Sequence, residues 1–217
     1  MCLVVLQIAC STHQHSEQSA ATKAADTVYS TGEHETADQR GEKVNLSCIY
    51  LGKDTEDIIV LGTDDNEYKG IVVAHTPNLS SELQVGQNLQ ITYSGAMTHS
   101  LPPQITAEEI IAGDRISEPV ELSFTEANQV RELLPKVNYI DVRTPEEYAE
   151  GHLPQVLNVP LQDLDKHLHD FDITVPTFVY CRSGARSAEA AKLLVGAGYT
   201  VFDLGGILDY SGELVEE

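Results

Sequence analysis

The sequence predicts an α/β protein with a small antiparallel, barrel-like (OB-like) β domain followed by a C-terminal parallel sheet with flanking helices. Two observations carry this prediction. Residues 44–111 contain short β-rich runs separated by turn clusters, whereas residues 120–217 alternate strands with helices. With 217 residues, 41% hydrophobic and 22% charged, the chain is long enough and apolar enough to bury an ordinary core.

The charge balance excludes two classes of partner. The chain has 34 acidic and 13 basic residues, for a formal net charge of −21. Nucleic acids and anionic membrane surfaces both attract clustered Lys and Arg, so neither is an expected partner. A local basic pocket remains compatible with this global charge.

The N-terminal segment is typical of a targeting signal followed by a flexible linker. Residues 1–10, MCLVVLQIAC, resemble a bacterial lipoprotein signal in which Cys10 becomes the lipidated residue. The polar residues 11–42 then form a flexible linker. We expect an extracytoplasmic protein with a lipid anchor in the cell membrane; the alternative is a cytoplasmic protein with a short hydrophobic tail.

Residues 43–113 predict the barrel, with about five short strands in some 70 residues. Cys48 lies in the first strand, where a free cysteine is usually a small buried apolar residue. Residues 67–110 resemble a small barrel domain of unknown function from lipoproteins of Gram-positive bacteria, and this resemblance implies no chemistry. Four of the predicted strands are VNLSCIYL, DIIVLGT, YKGIVVAHT and LQITYSG.

A linker over residues 112–121 leads into the α/β region, residues 120–217. Thr144 is the predicted cap of a helix with Pro145 in its first turn, and Gly198 the predicted stop of a later helix. The elements predicted in chain order are helix ANQVRELL, strand NYIDVR, helix TPEEYAEG, strand VLNVP, helix LQDLDKHLHD, strand PTFVYC, helix RSAEAAKLLVGAGY and strand TVFDL.

The stretch VYCRSGARS places a cysteine at a strand end, where parallel sheets bind their ligands. Cys181 leaves the strand and a helix is predicted to begin around residues 186–187. The backbone N–H groups of the intervening arc, the helix dipole and the guanidinium groups of Arg182 and Arg186 all favour a thiolate. We therefore expect the thiol to ionise below its reference value of about 8.5 and to act as a nucleophile. The alternative is a buried structural cysteine.

The other cysteines suggest no competing site. Cys2 and Cys10 lie in the apolar N-terminal segment, and the four cysteines form no pair or Cys/His cluster with zinc spacing. A disulfide between Cys48 and Cys181 would have to join two domains and is not expected.

Two longer segments, YIDVRTPEEYAEGHLPQVLNVPL and FVYCRSGARSAEAAKLLVGAGYTVFDLGGILDYSGELV, resemble the rhodanese family of sulfurtransferases in the order and spacing of several motifs. The resemblance covers about residues 120–217. It implies that Cys181 takes the outer sulfur of a small anionic donor such as thiosulfate, holds it as a persulfide, and passes it to cyanide or a thiol. It implies no metal and no organic cofactor. The implied binding cradle is Arg182, Ser183, Gly184, Ala185 and Arg186.

The same resemblance assigns supporting positions. Asp141, Arg143 and Ser187 are expected to support the loop, with Asp141 hydrogen-bonding to neighbouring loops. Arg143 and Glu147 are spaced to pair across a turn, and His152 is expected to be scaffold instead of a catalytic base.

The chain departs from the family pattern at three sites. Gln155-Val156 replaces a usual Gly-Ala, which places the local turn in question. Tyr210 replaces a usual Trp, and Ala185 is often polar in relatives.

Two rival functions remain. Phosphatases and arsenate reductases of the same fold have Cys-x5-Arg loops, whereas Cys181 and Arg186 give Cys-x4-Arg, a ring sized for sulfur and not for phosphate. The non-enzymatic rival is a sulfur-carrier, redox-sensing or protein-binding module without turnover. The sequence leaves the oligomeric state open.

Overall fold

The structure is a computed structural model, and it describes residues 43–65, 67–77, 79 and 82–216. The predicted signal segment with Cys10 and the predicted linker 11–42 lie outside the described residues and stay predictions. Within the described ranges, no helix combines the length and the apolar character that crossing a bilayer requires.

The N-terminal part is a closed five-stranded barrel with the strand order β1-β2-β3-β5-β4. Neighbouring strands are antiparallel except for β3 and β5, which pair in parallel. The predicted barrel is therefore present, with one parallel pair that the strand pattern did not indicate. Its strands are β1 (Val44–Asp54), β2 (Asp57–Asp64), β3 (Tyr68–His75), β4 (Gln87–Tyr93) and β5 (Gln104–Arg115).

The middle of β1, residues 48–51, is apolar at every position. Successive side chains of a strand point to opposite faces. Leu46, Cys48 and Tyr50 pack inside the barrel, whereas Ile49 and Leu51 pack outward in a cluster shared with the second sheet. Both faces of the strand are thus buried.

The second sheet is parallel, with the order β6-β10-β9-β7-β8, so β9 is its central strand. This confirms the predicted parallel sheet with flanking helices. Its elements are β6 (Val120–Glu121), α1 (Phe124–Leu133), β7 (Asn138–Asp141), α2 (Pro145–Ala149), β8 (Leu157–Asn158), β9 (Thr177–Cys181), α3 (Ala185–Gly196) and β10 (Val201–Gly206).

The predicted linker 112–121 is partly strand. Its first residues continue β5 as far as Arg115, and its last two form β6. Pairing with β4 and with β10 supplies the backbone hydrogen bonds that a linker would leave to water.

The predicted helix over residues 161–170 is wrong in type. The chain instead forms two short 3-10 helices, Leu161–Lys166 and Leu168–Asp170. Asp has a low helix propensity, and this segment contains three aspartates, at positions 163, 165 and 170. Here Lys166 Nζ lies 2.6 Å from Asp163 Oδ1, and His167 Nδ1 lies 2.8 Å from Asp170 Oδ2.

Two hydrophobic clusters sandwich the parallel sheet. On one face, α1 and the outer wall of the barrel pack against residues such as Phe178, Tyr180 and Phe202. On the other face, α3 packs against residues that include Val179 and Cys181. The central strand is thereby buried on both sides, and its last residue is held firmly where the strand ends.

Candidate active site

Cys181 is the last residue of β9 and its side chain is 1% exposed. Its Sγ accepts a hydrogen bond from the backbone N–H of Gly184 at 3.1 Å. Cys48 and Cys181 are both free, so the disulfide between them, which was not expected, does not form. The thiol therefore sits at the carboxyl edge of the central strand, with a backbone donor directed at its sulfur.

Gly184 makes the turn from the strand into the helix. It has φ +97°, in the left-handed region that favours glycine, and it caps the N-terminus of α3. The helix begins at Ala185, one residue earlier than predicted. The first N–H groups of a helix have no intrahelical partner, and those of α3 follow directly after the loop that carries Cys181.

A second loop, at the end of β10, packs against the cysteine loop. A Cβ on Gly206 would lie 2.7 Å from the Cα of Ser183 and 2.8 Å from the carbonyl oxygen of Arg182. Gly206 therefore permits a direct contact between the two backbones. The buried Ser187 hydroxyl lies 2.9 Å from the carbonyl oxygen of Gly184 and 3.2 Å from that of Gly205, which joins both loops to α3.

The guanidinium group of Arg186 is held by Glu147. Its Nη1 and Nη2 donate to Glu147 Oε2 at 2.6 Å and to Oε1 at 2.8 Å. The hydrogen bond from Arg186 lowers the pKa of the Glu147 carboxyl to about 2, against a smaller opposing effect of burial. The predicted pair of Arg143 with Glu147 is wrong, because Arg186 occupies that carboxylate. Part of the positive charge expected at the loop is thus balanced.

Arg143 instead pairs with Asp141, and both side chains are buried. Its Nε donates to Asp141 Oδ2 at 2.8 Å and its Nη2 donates to the same oxygen at 2.7 Å. Nη2 also donates to the carbonyl oxygen of Gly151 at 2.7 Å. This pair fixes the loop after β7 next to the cysteine loop, and it satisfies the buried charges that would otherwise be costly.

His152 is part of the scaffold. Its ring stacks on Tyr148 at 3.6 Å between centroids, and Nδ1 lies 3.2 Å from the carbonyl oxygen of Tyr148. Its backbone forms an isolated antiparallel bridge with Val215. The ring is 5% exposed and engaged on one face, which is an arrangement suited to packing.

The remaining cradle positions face outward. Arg182, Ser183 and Ala185 are exposed. The carbonyl oxygen of Arg182 accepts a hydrogen bond from the backbone N–H of Leu208 at 3.3 Å. Of the five predicted cradle residues, Gly184 is the one whose N–H contacts the sulfur.

Two departures from the family pattern have visible consequences. Gln155 adopts φ +60°, so the position where relatives usually have glycine requires a left-handed backbone from a residue with a Cβ. Tyr210, where relatives usually have Trp, packs its ring against Phe124 with 5.1 Å between the ring centroids.

Sequence reasoning missed two functional positions: Glu147 as the partner of Arg186, and Gly206 as the contact point of the two loops. Glu147 carried a signal, since it also completes a capping box with Thr144 and so has a fixed place at the start of α2. The Gly205-Gly206 pair carried one too, because adjacent glycines after a strand often mark close backbone approach.

Comparisons with known proteins match the C-terminal part of the chain. The family model for the Rhodanese-like domain matches residues 126–213. Thiosulfate sulfurtransferase PspE of Escherichia coli is 36% identical over 77 residues, which cover 33% of this chain and 72% of that protein. Thiosulfate sulfurtransferase 16, chloroplastic, of Arabidopsis thaliana is 34% identical over 97 residues, which cover 38% of this chain and 77% of that protein.

Other comparisons cover a smaller share of the relative's length or give a low TM-score. The chain spans 51%, 64% and 66% of the length of three other curated relatives, two from Bacillus subtilis and one from Allochromatium vinosum. The crystal structure of a rhodanese-like domain protein from Staphylococcus aureus is 25% identical, with a TM-score of 0.42, and covers 45% of this chain and 98% of that one.

Proposed function

This chain belongs to the rhodanese family, and we propose that it is a sulfurtransferase that carries sulfane sulfur on the thiol of Cys181. The observation that carries the proposal is the hydrogen bond from Gly184 N–H to Cys181 Sγ, at the start of α3 and inside a Cys-x4-Arg loop. A donor aimed at the sulfur stabilises negative charge on a thiolate, and afterwards on a persulfide, without any change of protonation elsewhere.

In the first half-reaction, the Cys181 thiolate attacks the outer sulfur of thiosulfate. The new bond joins Sγ to that sulfur, the S–S bond of thiosulfate breaks, and its electron pair leaves with sulfite. The product is a Cys181 persulfide anion, whose terminal sulfur lies inside the loop formed by residues 182–186. The exposed Arg182 stands at the loop, where its charge favours approach of a dianionic donor.

In the second half-reaction, cyanide or a thiolate attacks the terminal sulfur. The Sγ–S bond breaks, its electron pair returns to Cys181 as thiolate, and thiocyanate or a new persulfide leaves. Atoms and charges balance without an external oxidant or reductant. Neither step requires a strong base, which agrees with a packed and non-catalytic His152.

The loop length argues for sulfur over phosphate. Arg186 follows Cys181 by five positions, and its guanidinium is held by Glu147, so it is not free to clamp a tetrahedral oxyanion. We therefore expect no Cys181-dependent hydrolysis of p-nitrophenyl phosphate.

The test is steady-state turnover of thiosulfate and cyanide by the full chain, compared with Cys181→Ser. Thiocyanate formation that disappears in the variant supports the proposal. Persulfide formation, seen by intact mass as the gain of one sulfur atom, but without turnover, would replace it with a carrier role. Absence of both would favour a redox-sensing or protein-binding module. Cys48→Ser is the matched control, since Cys48 is buried in the barrel and should leave turnover unchanged.

The location rests on the sequence alone. We propose that Cys10 is lipidated and anchors the protein outside the cytoplasm. Recovery in the membrane fraction that is lost in Cys10→Ala would support this, and recovery of the unaltered chain in the soluble cytoplasmic fraction would exclude it.

A further inference from the structure

A cavity of about 500 Å³ lies between the barrel and the amino edge of the parallel sheet, away from the cysteine loop. The barrel contributes Lys53, Val85 and Arg115, and the second domain contributes Leu134, Lys136 and Pro176. Ligand sites favour domain interfaces and commonly measure about 300–1,000 Å³. We propose that this cavity binds an organic anion with an apolar body.

The charge of the lining is the first argument. Three lining side chains are basic (Lys53, Arg115 and Lys136), and no aspartate or glutamate lines the cavity. In the whole chain acidic residues outnumber basic ones by 34 to 13. The charged side chains that line this concave surface are therefore all basic, and basic side chains gathered in a concave surface favour an anionic ligand.

Two of these cations have no carboxylate partner. Lys136 is bound by Asp172, with 2.8 Å between Nζ and Oδ2. Arg115 instead donates from Nε to the carbonyl oxygen of Val85 at 3.0 Å and from Nη2 to Thr200 Oγ1 at 2.8 Å. Lys53 forms no ion pair with any described residue. Lys53 and Arg115 therefore bring uncompensated charge to the cavity, and Arg115 is already fixed in position.

The apolar part of the lining is the second argument. Gly52 lets the methyl groups of Leu134 approach the barrel wall, since a Cβ at this position would lie 2.8 Å from Cδ2. The partly exposed residues Leu83, Val85 and Val175 continue this apolar surface. An anion without an apolar body would leave these walls in contact with water, so the combination selects an amphipathic ligand.

The position of the cavity separates it from sulfur transfer. Pro176 immediately precedes β9, whereas Cys181 ends it, so the two sites lie at opposite edges of the sheet, about 16 Å apart along the strand. A ligand here neither touches the thiol nor competes with the sulfur donor. The inference is thus independent of the proposed function.

The test uses the fluorescence of 8-anilinonaphthalene-1-sulfonate, an aromatic anion, titrated into the full chain. We expect saturable binding that is displaced by octanoate, but not at equal concentration by 1-octanol or by acetate. Lys53→Glu should weaken displacement by octanoate at least tenfold, and Gln84→Trp, which adds bulk at an exposed lining position, should weaken probe binding. Lys43→Glu is the matched control, because Lys43 pairs with Glu108 outside the lining.

Each alternative result overturns the inference. These results are no saturable binding, equal displacement by octanol or acetate, an unchanged Lys53→Glu protein, or an equal loss in Lys43→Glu. Cys181→Ser should bind the probe as the unaltered chain does. Loss of binding in that variant would place the ligand at the cysteine loop and would also overturn the inference, whatever the outcome of the turnover assay.

Discussion

Glu147 and Arg186 form a bidentate ion pair, 2.6 Å and 2.8 Å between nitrogen and oxygen, that joins the start of α2 to the start of α3. The two residues are 39 positions apart in the chain. Thr144 holds the same Glu147 carboxylate through its backbone N–H at 3.1 Å. The arginine of the cysteine loop is therefore oriented by a carboxylate that is itself fixed by a helix cap.

Removing that carboxylate charge should impair sulfur transfer. Glu147→Gln replaces a charge-assisted bidentate contact with a weaker neutral one, so the guanidinium group of Arg186 is no longer fixed beside the cysteine loop. We expect kcat/KM for thiosulfate to fall about tenfold, a loss of about 1.4 kcal/mol in transition-state stabilisation. Glu146→Gln is the control, since Glu146 is exposed on the same helix turn. Equal losses in both variants would mean that general charge, and not the pair, is responsible.

The same pair should make stability depend on pH in acid. The pKa of Glu147 is lowered from 4.5 to about 2 by the Arg186 hydrogen bond. Its stabilisation is thus complete above pH 4.5 and is lost as pH falls through 2, because the unfolded chain binds the proton first. The pair is partly exposed, at 34% and 24%, so screening reduces its contribution to about 1 kcal/mol.

Urea unfolding between pH 6 and pH 2 measures this effect. The free energy of unfolding of the unaltered chain should exceed that of Glu147→Gln at pH 6, and the two should converge towards pH 2. A difference that stays constant over this range would show that the carboxylate is not the titrating group.

The pattern of strands and helices was sufficient to locate Cys181. A buried apolar run followed by a helix places the cysteine at the carboxyl edge of a parallel sheet, and the structure has it there. Periodicity and turn residues are local properties, so they are readable along the chain. For the same reason Thr144 was predicted as a helix cap, and its capping box is present.

What the sequence did not reveal depends on distant contacts. Two arginines could pair with the Glu147 carboxylate. Arg143 is close to it in the sequence, and Arg186 is brought near it by the fold. Arg143 pairs with Asp141 in the buried interior, so the Glu147 carboxylate is left to Arg186. The parallel pairing of β3 with β5 likewise follows from barrel closure and not from either strand alone.

Gln155 offers a test of backbone strain. Its φ of +60° costs about 1–2 kcal/mol for a residue with a Cβ, and its side chain is exposed. Gln155→Gly should therefore raise the free energy of unfolding by about 0.5–1 kcal/mol after the entropy of glycine is subtracted. Gln129→Gly, in the middle of α1, should instead lower it by about 1 kcal/mol. Urea unfolding of both variants tests the sign, and a loss in Gln155→Gly would contradict the strain.

The cysteine loop should require glycine at position 206 because a side chain has no room there. The backbone φ of Gly206 is not the reason. Its φ is −104°, which any residue adopts, but a Cβ would lie 2.7 Å from Ser183 Cα and 2.9 Å from Ser183 C. Both are backbone atoms that cannot rotate away, so Gly206→Ala must displace the cysteine loop relative to β10. We expect a loss of about 1–3 kcal/mol in the free energy of unfolding. We also expect turnover to fall more than tenfold, because small displacements of a reacting group are costly.

Gly196→Ala separates this effect from the substitution itself. A Cβ at Gly196 meets no atom within 4 Å, and the residue ends α3, so the variant should be neutral or more stable by up to about 1 kcal/mol. Turnover should be unchanged. If Gly206→Ala kept full activity at a temperature where it is folded, the contact between the two loops would not position Cys181, and the support for the thiol would have to come from Gly184 and Ser187 alone.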